Sequence, residues 1–373
     1  MREEVIAEIC HKERKRLMFI IGFLVISLII AVISISISEV HIGFFEAFQL
    51  FYKAMMGIQP EDFDTYLKTH IVYYENGPRA LGALCAGAVL SVSGAVLQNI
   101  IRNPLADPYT LGISSGALFG MVITLIFGFS VIPWINASDA IIINAFVFAT
   151  IPTMIIIMVS MFRKVTPTMM ILCGIAVMYI FNAVSTLLKF TAEPETYSQI
   201  YTWAIGSVSG LSWGSMPKMI LAVGLTFIPL MIIHRRVDII AQGDNNAITL
   251  GVDPNKTRIM CLLPISLGTA IIVSYTGTIG FVGLIAPHIC RIFMGSNCKL
   301  LIPCSAVVGG IMILISDILV RLVAPSLPVG VIIALISSPV FIYILLKNFI
   351  YSRFFHNHFI NEKITLLRLL III

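Results

Sequence analysis

The chain has 373 residues, of which 58% are hydrophobic and only 12% are charged, and its formal net charge is +5. A soluble globular protein carries about 25% charged residues, so this composition excludes a soluble globular protein and indicates one that crosses the membrane several times. The small positive charge follows from lysine and arginine residues that flank the predicted spans, and it does not indicate nucleic-acid binding.

Ten apolar runs are candidate spanning helices, because about 20 residues at 1.5 Å each cross the hydrocarbon core. The predicted spans are 17–38, 78–101, 109–131, 140–162, 168–190, 216–234, 258–276, 280–294, 300–323 and 328–347. The eighth is short for a full crossing and follows the glycine-rich stretch 276–280, so we expect a helix that begins part-way into the membrane and is enclosed by protein. The predicted fold class is an all-α polytopic membrane protein without a separate soluble domain.

Charge determines the predicted orientation. Placing residues 1–16 in the cytoplasm puts most of the 24 lysine and arginine residues on the inner side. The loop 39–79 then lies outside, and both termini lie inside. The first apolar run has no clear small-residue cleavage site behind it, so we interpret it as an uncleaved span and not as a signal peptide. The predicted organisation is a cytoplasmic segment 1–16, a transmembrane domain 17–347 and a cytoplasmic or interfacial tail 348–373.

The second span has one face with almost no side-chain bulk. Its small residues recur about every four positions, which places them on the same side of a helix. They are Ala83, Gly87, Ser91, Gly94 and Ala95. Contact with lipid does not require a face of small residues. Two helix backbones, however, can approach closely only where the side chains between them are small, so we expect this face to pack against another helix.

The longest inner loop, 234–258, predicts two short helices in succession on the cytoplasmic surface. The first starts at a Gly-Asp pair and ends at a glycine, and the second starts with an aspartate cap followed by proline at its first position. These start and stop signals are Gly243, Asp244, Gly251, Asp253 and Pro254. Such a surface suits the binding of a soluble partner, and an ordinary capped connector is the alternative that the loop alone leaves open.

The sequence shows no signature of catalysis. No Gly-Lys dipeptide occurs, which excludes a Walker phosphate loop, and there is no HExxH metal motif. We therefore predict no catalytic residue, no metal site and no ATP hydrolysis by this chain. Asp317 and Arg321 stand one helical turn apart in the ninth span, so we expect them to neutralise each other. Because Asp317 is the only acid in the core of a predicted span, the sequence argues against a transporter driven by an ion gradient, which is the alternative function.

Several longer motifs occur in an order that resembles a known family. They are 78–79 (PR), 93–98 (SGAVLQ), 103–108 (NPLADP), 111–116 (LGISSG), 203–207 (WAIGS), 250–252 (LGV), 280–288 (GFVGLIAPH) with Arg291, and 327–330 (LPVG). In these motifs the chain resembles the permeases of ATP-binding-cassette importers for iron-siderophores, haem and cobalamin, the FecCD and BtuC type. The resemblance implies the type II importer permease fold with ten helices per subunit. It also implies transport of an iron chelate or a corrinoid across the cytoplasmic membrane of a prokaryote.

The resemblance also implies partners. Family members form a homodimer whose interface encloses the pathway, and they bind two ATPase subunits inside, which use ATP and Mg²⁺. A substrate-binding protein delivers the cargo outside, and no cofactor is implied in the permease itself. By position, Arg79 and Arg321 correspond to residues of the outer face that dock carboxylates of the binding protein.

Two further groups of residues are assigned by the resemblance. The inner gate of the pathway corresponds to Asn103, Leu105, Thr166 and Thr168. The helices that couple to the ATPase correspond to Gly243, Asp244, Ala247, Leu250, Gly251, Asp253 and Pro254. At the outer end the chain departs from the family, since 76–79 reads NGPR where Arg-x-Pro-Arg is frequent, and Ser326 replaces a frequent glutamate.

Overall fold

The computed structural model describes residues 2–38, 40, 42–162, 166–343 and 346, with side chains from His11 onward. All regular structure within these residues is helical, which confirms the predicted all-α class. The chain divides into two compact units, Met1–Ile333 and Ala334–Ile373. The candidate sites belong to the first unit, and the predicted tail 348–373 lies outside the described residues.

The helices follow one another along the chain with short connections. In the described residues they are α1 (Arg2–Ser36), α2 (Phe44–Met55), α3 (Phe63–Thr69), α4 (Gly77–Ile101), α5 (Ile113–Phe127), α6 (Ala137–Phe162), α7 (Pro167–Lys189), α8 (Pro194–Ile205), α9 (Met216–Ile232), α10 (His234–Ala241), α11 (Asp244–Thr249), α12 (Pro254–Thr276), α13 (Val282–Met294), α14 (Cys298–Val323) and α15 (Val329–Tyr343). A π-helical turn, His70–Asn76, leads into α4, and a 3-10 turn, Pro108–Leu111, precedes α5.

Each of the ten predicted spans overlaps one of these helices. Six stretches of the described chain are long and apolar enough to cross a membrane, and they include α1, α4, α6, α7, α12 and α14. α9 and α10 meet the same criterion as a pair with a 64° bend between them, and α5, α13 and α15 are shorter apolar helices. Two helices begin four or more residues earlier than predicted, α1 at Arg2 and α12 at Pro254, because polar residues continue the helix beyond the apolar run.

α4 is the buried centre of the bundle, and it packs against α14, α13, α9 and α12. A Cβ atom on Gly87 would overlap the backbone of α14, and one on Gly94 would overlap the carbonyl group of Gly283 in α13. The Ser91 hydroxyl donates a hydrogen bond to the Ser305 carbonyl of α14 at 2.5 Å. The face of small residues in the second span therefore lies against two neighbouring helices.

α13 begins in the middle of the bundle, as expected for the eighth span. The segment before it, 277–281, is not helical and is held by its neighbours. The Ile279 N–H donates to the Tyr109 hydroxyl at 3.1 Å, and Ile279 is fully buried. The first turn of α13 at Gly283 lies against the Leu90 carbonyl, near the midpoint of α4. A half-length helix with an irregular start is thus enclosed by protein, where its free backbone groups find partners.

Residues 42–76 form a small helical cap, a region that the sequence analysis described only as an outer loop. α2, α3 and the π-helical turn pack around a cluster that includes Ile42, Leu50 and Val72. These helices are shorter than the membrane is thick, so a search for spanning runs does not detect them. The cap leads into the first residue of α4. We call this end of α4 the Asp317 end, after a residue of α14 described below, and the opposite end the Asp244 end.

Candidate functional site

The Asp244 end carries the loop assigned to coupling. α11 begins after Gly243, whose φ is +121°, and the chain turns after α11 at Gly251, whose φ is +75°, and both values favour glycine. The Asp253 carboxylate accepts hydrogen bonds from the N–H groups of Asn255 at 2.9 Å and Lys256 at 3.2 Å, at the start of α12. The start and stop signals of the sequence therefore form the boundaries of α11 and α12.

One detail of the loop prediction was wrong. The second of the two predicted short helices is not separate, because the helix that begins at Pro254 continues to Thr276 as a spanning helix. The two short helices at this end are instead α10 and α11. The Asp-Pro signal marks the start of a helix correctly, but it contains no information about the length of that helix.

Asp244 connects α11 to two spanning helices. Its Oδ1 accepts hydrogen bonds from Arg258 Nη2 at 2.7 Å and from Arg102 Nη2 at 3.0 Å, and its Oδ2 accepts one from Arg258 Nη1 at 3.1 Å. The Arg258 side chain is 3% exposed, and its Nε donates to the Ile100 carbonyl at 3.2 Å. Since Arg102 follows α4 and Arg258 lies in α12, Asp244 links α11 to both helices.

Asp244→Asn is expected to loosen α11. Hydrogen bonds from Arg258 hold the pKa of the Asp244 carboxyl below its ordinary value. The carboxylate therefore contributes stability above its ordinary pKa of about 4, and this contribution is lost as the pH falls through the lower folded value. The variant leaves the buried Arg258 without its charged partner at any pH, at a cost of about 1–3 kcal/mol.

The measurement is hydrogen exchange at the amides of α11, compared as protection factors across pH. The variant should lose about tenfold in protection at neutral pH, and it should lack the decline below about pH 4 that we expect of the natural chain. Asn245→Ala, at the adjacent exposed position, is the matched control and should leave protection unchanged. Equal protection in the two variants would contradict the bridging role of Asp244.

A hollow of about 580 Å³ opens beside α11. The hollow is lined by Thr166, which precedes α7, and by Ile248, Val252 and Pro254. Ile248 and Leu250 are 61% and 64% exposed, so two large apolar side chains stand free on this surface. One predicted gate residue therefore lies directly beside the predicted coupling residues, although about 80 positions separate them in sequence.

The other predicted gate residues also lie at the Asp244 end. Asn103 Oδ1 accepts a hydrogen bond from the Leu105 N–H at 2.9 Å, in a turn that leaves the Leu105 side chain 41% exposed. Thr166 caps α7 by accepting from the Met169 N–H at 3.3 Å, and Thr168 is exposed in the first turn of that helix. Their role in narrowing a passage stays a prediction.

The turn after α4 continues into a buried segment that the sequence analysis did not single out as a site. The Asp107 side chain accepts from the Tyr109 N–H at 2.7 Å, and its carboxylate lies against Gly283 at the start of α13. The Tyr109 hydroxyl in turn contacts Ile279. Two interruptions of helical structure therefore meet inside the bundle. The Asp-Pro pair at 107–108 is the sequence signal for the start of the 3-10 turn, but only the fold brings the two segments together.

At the opposite end of α4, one buried carboxylate pairs with two guanidinium groups. Asp317 is fully buried, its Oδ1 accepts from Arg79 Nε at 2.6 Å, and its Oδ2 lies 2.8 Å from Arg321 Nη2. Arg321 Nη1 also donates to the carbonyl groups of Ser34 and Ile37, both at 2.8 Å, which fastens the end of α1 to α14. The expected pair of Asp317 and Arg321 is present, and Arg79 adds a second cation from a helix distant in sequence.

These contacts bear on the docking role that the resemblance gives to Arg79 and Arg321. The Arg321 side chain is 5% exposed and that of Arg79 is 13% exposed, so neither guanidinium stands free at the surface. Asn76 Oδ1 accepts from Arg321 Nη1 at 3.0 Å. An arginine at position 76 would remove this acceptor and add a cation. Docking through the two arginines stays a prediction, and in this conformation Asp317 already engages both.

His288, a side chain able to bind ions, is also engaged by protein. His288 Nδ1 lies 2.7 Å from the Leu284 carbonyl, one turn earlier in α13. Within the described residues, no group of three or more His, Cys, Asp or Glu side chains is arranged to hold a metal ion. The acid predicted in a span core belongs to a salt-bridge cluster, so its geometry does not favour the ion-driven alternative.

Comparison with known proteins gives a consistent result. The model of the FecCD transport family matches residues 24–347. The probable iron chelatin transport system permease protein of Helicobacter pylori is 32% identical over 271 residues, which are 72% of this chain and 80% of that protein. The cobalamin import system permease protein BtuC of Halobacterium salinarum is 35% identical over 269 residues, 72% of this chain and 71% of that protein. A solved inward-facing conformation of a metal-chelate type ABC transporter matches with a TM-score of 0.75 and 28% identity, over 88% of this chain and 99% of that chain.

Proposed function

The chain belongs to the FecCD transport family, and on that premise we propose its cargo and its partners. It is the permease subunit of an ATP-binding-cassette importer and a multi-pass membrane protein. The proposed cargo is an iron chelate, either a siderophore complex or haem, or a corrinoid. The names of the relatives in Helicobacter pylori and Halobacterium salinarum support both classes of cargo.

The proposed assembly contains two copies of this chain, which enclose the pathway between them. Two separate ATPase subunits bind at the Asp244 end and hydrolyse ATP with Mg²⁺, and a substrate-binding protein delivers cargo at the Asp317 end. Both termini then lie in the cytoplasm, as the distribution of lysine and arginine favours. The chain needs no cofactor of its own, since the partner subunits carry the nucleotide.

The observation that carries this proposal is the arrangement of α11. Two large apolar side chains are exposed on this surface, Ile248 within α11 and Leu250 directly after it. On its buried side, Asp244 links it to Arg102 beside α4 and to Arg258 in α12. An exposed apolar contact combined with a rigid connection to two spanning helices suits a lever on which a soluble partner acts.

The proposed mechanism is mechanical. Closure of the ATPase pair displaces α11, and the two arginine contacts transmit that displacement to α4 and α12. Because α4 packs without side-chain bulk against α13 and α14, a tilt of α4 moves these neighbours as well. Access to the pathway then alternates between the two membrane faces by rigid-body motion of packed helices.

Leu250→Glu is expected to weaken binding of the ATPase subunit. The substitution places a charge in the centre of an apolar contact, and loss of such a residue costs about 2 kcal/mol or more, which is about 30-fold in affinity. The fold should remain intact, because Leu250 is 64% exposed. The measurement is co-purification of the ATPase subunit with the permease, together with ATP-driven uptake in proteoliposomes.

Thr202→Glu is the matched control, since it adds the same charge at an exposed position of α8, the helix that follows the far end of α7. It should leave the ATPase subunit bound. If Leu250→Glu retains both the natural amount of bound ATPase and the natural rate of uptake, then α11 is not the coupling surface.

The cargo class is tested in cells that lack this chain and then regain it. Uptake of a labelled ferric siderophore, haem or cobalamin that depends on the restored chain assigns the class. Proteoliposomes containing the complete complex distinguish the energy source, because import should require ATP on the ATPase side and should persist without an ion gradient. Uptake driven by a gradient in the absence of the ATPase subunit would favour the secondary transporter instead.

A further inference from the structure

α2 presents three faces of different chemistry. At about 100° per residue, the helix places Ala47 and Leu50 on one side, where they are buried in the cluster with Ile42 and Val72. A second sector, within about 60°, is polar and consists of Glu46, Gln49 and Lys53. A third sector, within about 80°, is apolar and exposed and consists of Phe45, Phe48, Tyr52 and Met55. The surface that does not contact protein is therefore divided sharply between polar and apolar side chains.

The exposed apolar sector is large for a structure only 12 residues long. Phe45 is 81% exposed, Phe48 59%, Tyr52 53% and Met55 66%. Each square ångström of apolar surface left in water costs about 25 cal/mol, so a cluster of this kind in water would be unfavourable. Contiguous exposed apolar surface of this kind marks contact with lipid or with another protein.

The location of α2 identifies lipid as the partner. α1 ends at Ser36, and α2 packs against this end and against the π-helical turn that leads into α4. α2 therefore lies where two spanning helices leave the bilayer. The apolar part of α1, residues 17–35, carries large exposed side chains, with Leu24, Leu28 and Ile29 each about half exposed. α2 thus adjoins a helix whose exposed apolar side chains suit contact with acyl chains.

The polar sector of α2 is held in place by ion pairs. Lys68 Nζ lies 3.0 Å from Glu46 Oε1 and 2.8 Å from Asp64 Oδ2, so it joins α2 to α3 through their charged sides. Glu46 Oε2 also accepts a hydrogen bond from the Gly43 N–H at 3.3 Å, which gives the backbone at the start of α2 a partner. The hydrogen bond from Lys68 lowers the pKa of the Glu46 carboxyl, so the pair stays ionised at neutral pH. These contacts fix the rotation of α2 about its axis.

We propose that α2 lies along the membrane surface at the Asp317 end, with the ring of Phe48 and its apolar neighbours inserted among lipid headgroups and acyl chains. Lys53 and the polar sector face water, as is typical of interfacial helices. The aromatic rings of Phe45, Phe48 and Tyr52 suit the headgroup region, where such side chains are enriched. The inference requires only that the chain spans a membrane, and it is independent of the transported cargo.

The test is photo-crosslinking of the full chain reconstituted in bilayers of phosphatidylcholine and phosphatidylethanolamine. The probe is p-benzoylphenylalanine in place of Phe48, with the same probe in place of Lys53 as the matched control, and adducts are identified by mass spectrometry. Both positions are exposed, so neither exchange disturbs the buried side of α2. We expect phospholipid adducts at position 48, about tenfold more abundant than at position 53.

A third probe position, Tyr52, lies in the same apolar sector and should behave as Phe48 does. Equal lipid adducts at positions 48 and 53 would overturn the proposal. So would a predominant adduct at positions 48 and 52 with a second copy of the chain, or with a substrate-binding protein present in the sample, since the apolar sector would then be a protein interface.

Discussion

Gly94→Ala is expected to displace α13 from α4 and to lower the yield of folded protein severely. A Cβ atom at this position would overlap the carbonyl oxygen, the carbonyl carbon and the Cα atom of Gly283. All three are backbone atoms, so no side-chain rotation relieves the overlap. Overpacking a core costs about 1–3 kcal/mol where side chains can adjust, and we expect the upper end of this range or more, because a helix must move.

Thermal unfolding of the purified variant in detergent, followed by size-exclusion chromatography of the soluble fraction, measures this effect. Gly224→Ala is the matched control, since Gly224 lies in spanning helix α9 and a Cβ there meets no atom within 4 Å. Alanine should stabilise that helix by about 1 kcal/mol through its higher helix propensity. The two substitutions are chemically identical and should have effects of opposite sign. An unfolding midpoint of Gly94→Ala equal to the natural one would show that α4 and α13 are not in backbone contact.

The sequence was sufficient to place the spanning helices, and the physical reason is length. A run of about 20 apolar residues has few alternatives to a membrane helix, and each of the ten runs overlaps a helix. N-cap residues were equally informative about where helices begin. Asp253, for example, accepts hydrogen bonds from the first N–H groups of α12, and this contact is local in sequence. The regular spacing of glycine and serine in 83–95 also identified a face for close packing. Which residues share a face of a helix depends only on their spacing along that helix.

Contacts between distant segments could not be predicted in this way. Arg79 and Asp317 are 238 positions apart, and nothing in either sequence neighbourhood identifies the other as its partner. The same holds for Tyr109 and Ile279, which join two irregular segments. α2 was missed for a different reason, because it is too short to span and its apolar residues follow a helical period that a test of length does not examine.

Asp317→Asn is expected to be strongly destabilising. The carboxylate is the single anion between Arg79 and Arg321, which lie 2.6 Å and 2.8 Å from its oxygens. Asparagine retains a hydrogen-bond acceptor but removes the charge, so two buried guanidinium groups would face each other without compensation. Breaking a buried ion pair by removing one partner costs about 3–5 kcal/mol. The unfolding midpoint in detergent should fall accordingly. Ser316→Ala, at the adjacent buried position, is the control. It should change the midpoint little, because the Ser316 hydroxyl donates to the Met312 carbonyl within α14.

A second variant separates charge from shape. Arg79→Gln removes the cation with the larger exposed fraction, 13%, whereas Arg321 also fastens α1 through backbone carbonyl groups and must be retained. If repulsion between uncompensated cations causes the loss, then Asp317→Asn with Arg79→Gln should be more stable than Asp317→Asn alone, because one buried charge has been removed. The coupling between the two substitutions should be about 1–3 kcal/mol. Strictly additive losses would instead mean that Asp317 acts through its shape and hydrogen bonds, and the cluster would then be a packing element whose charges are individually compensated.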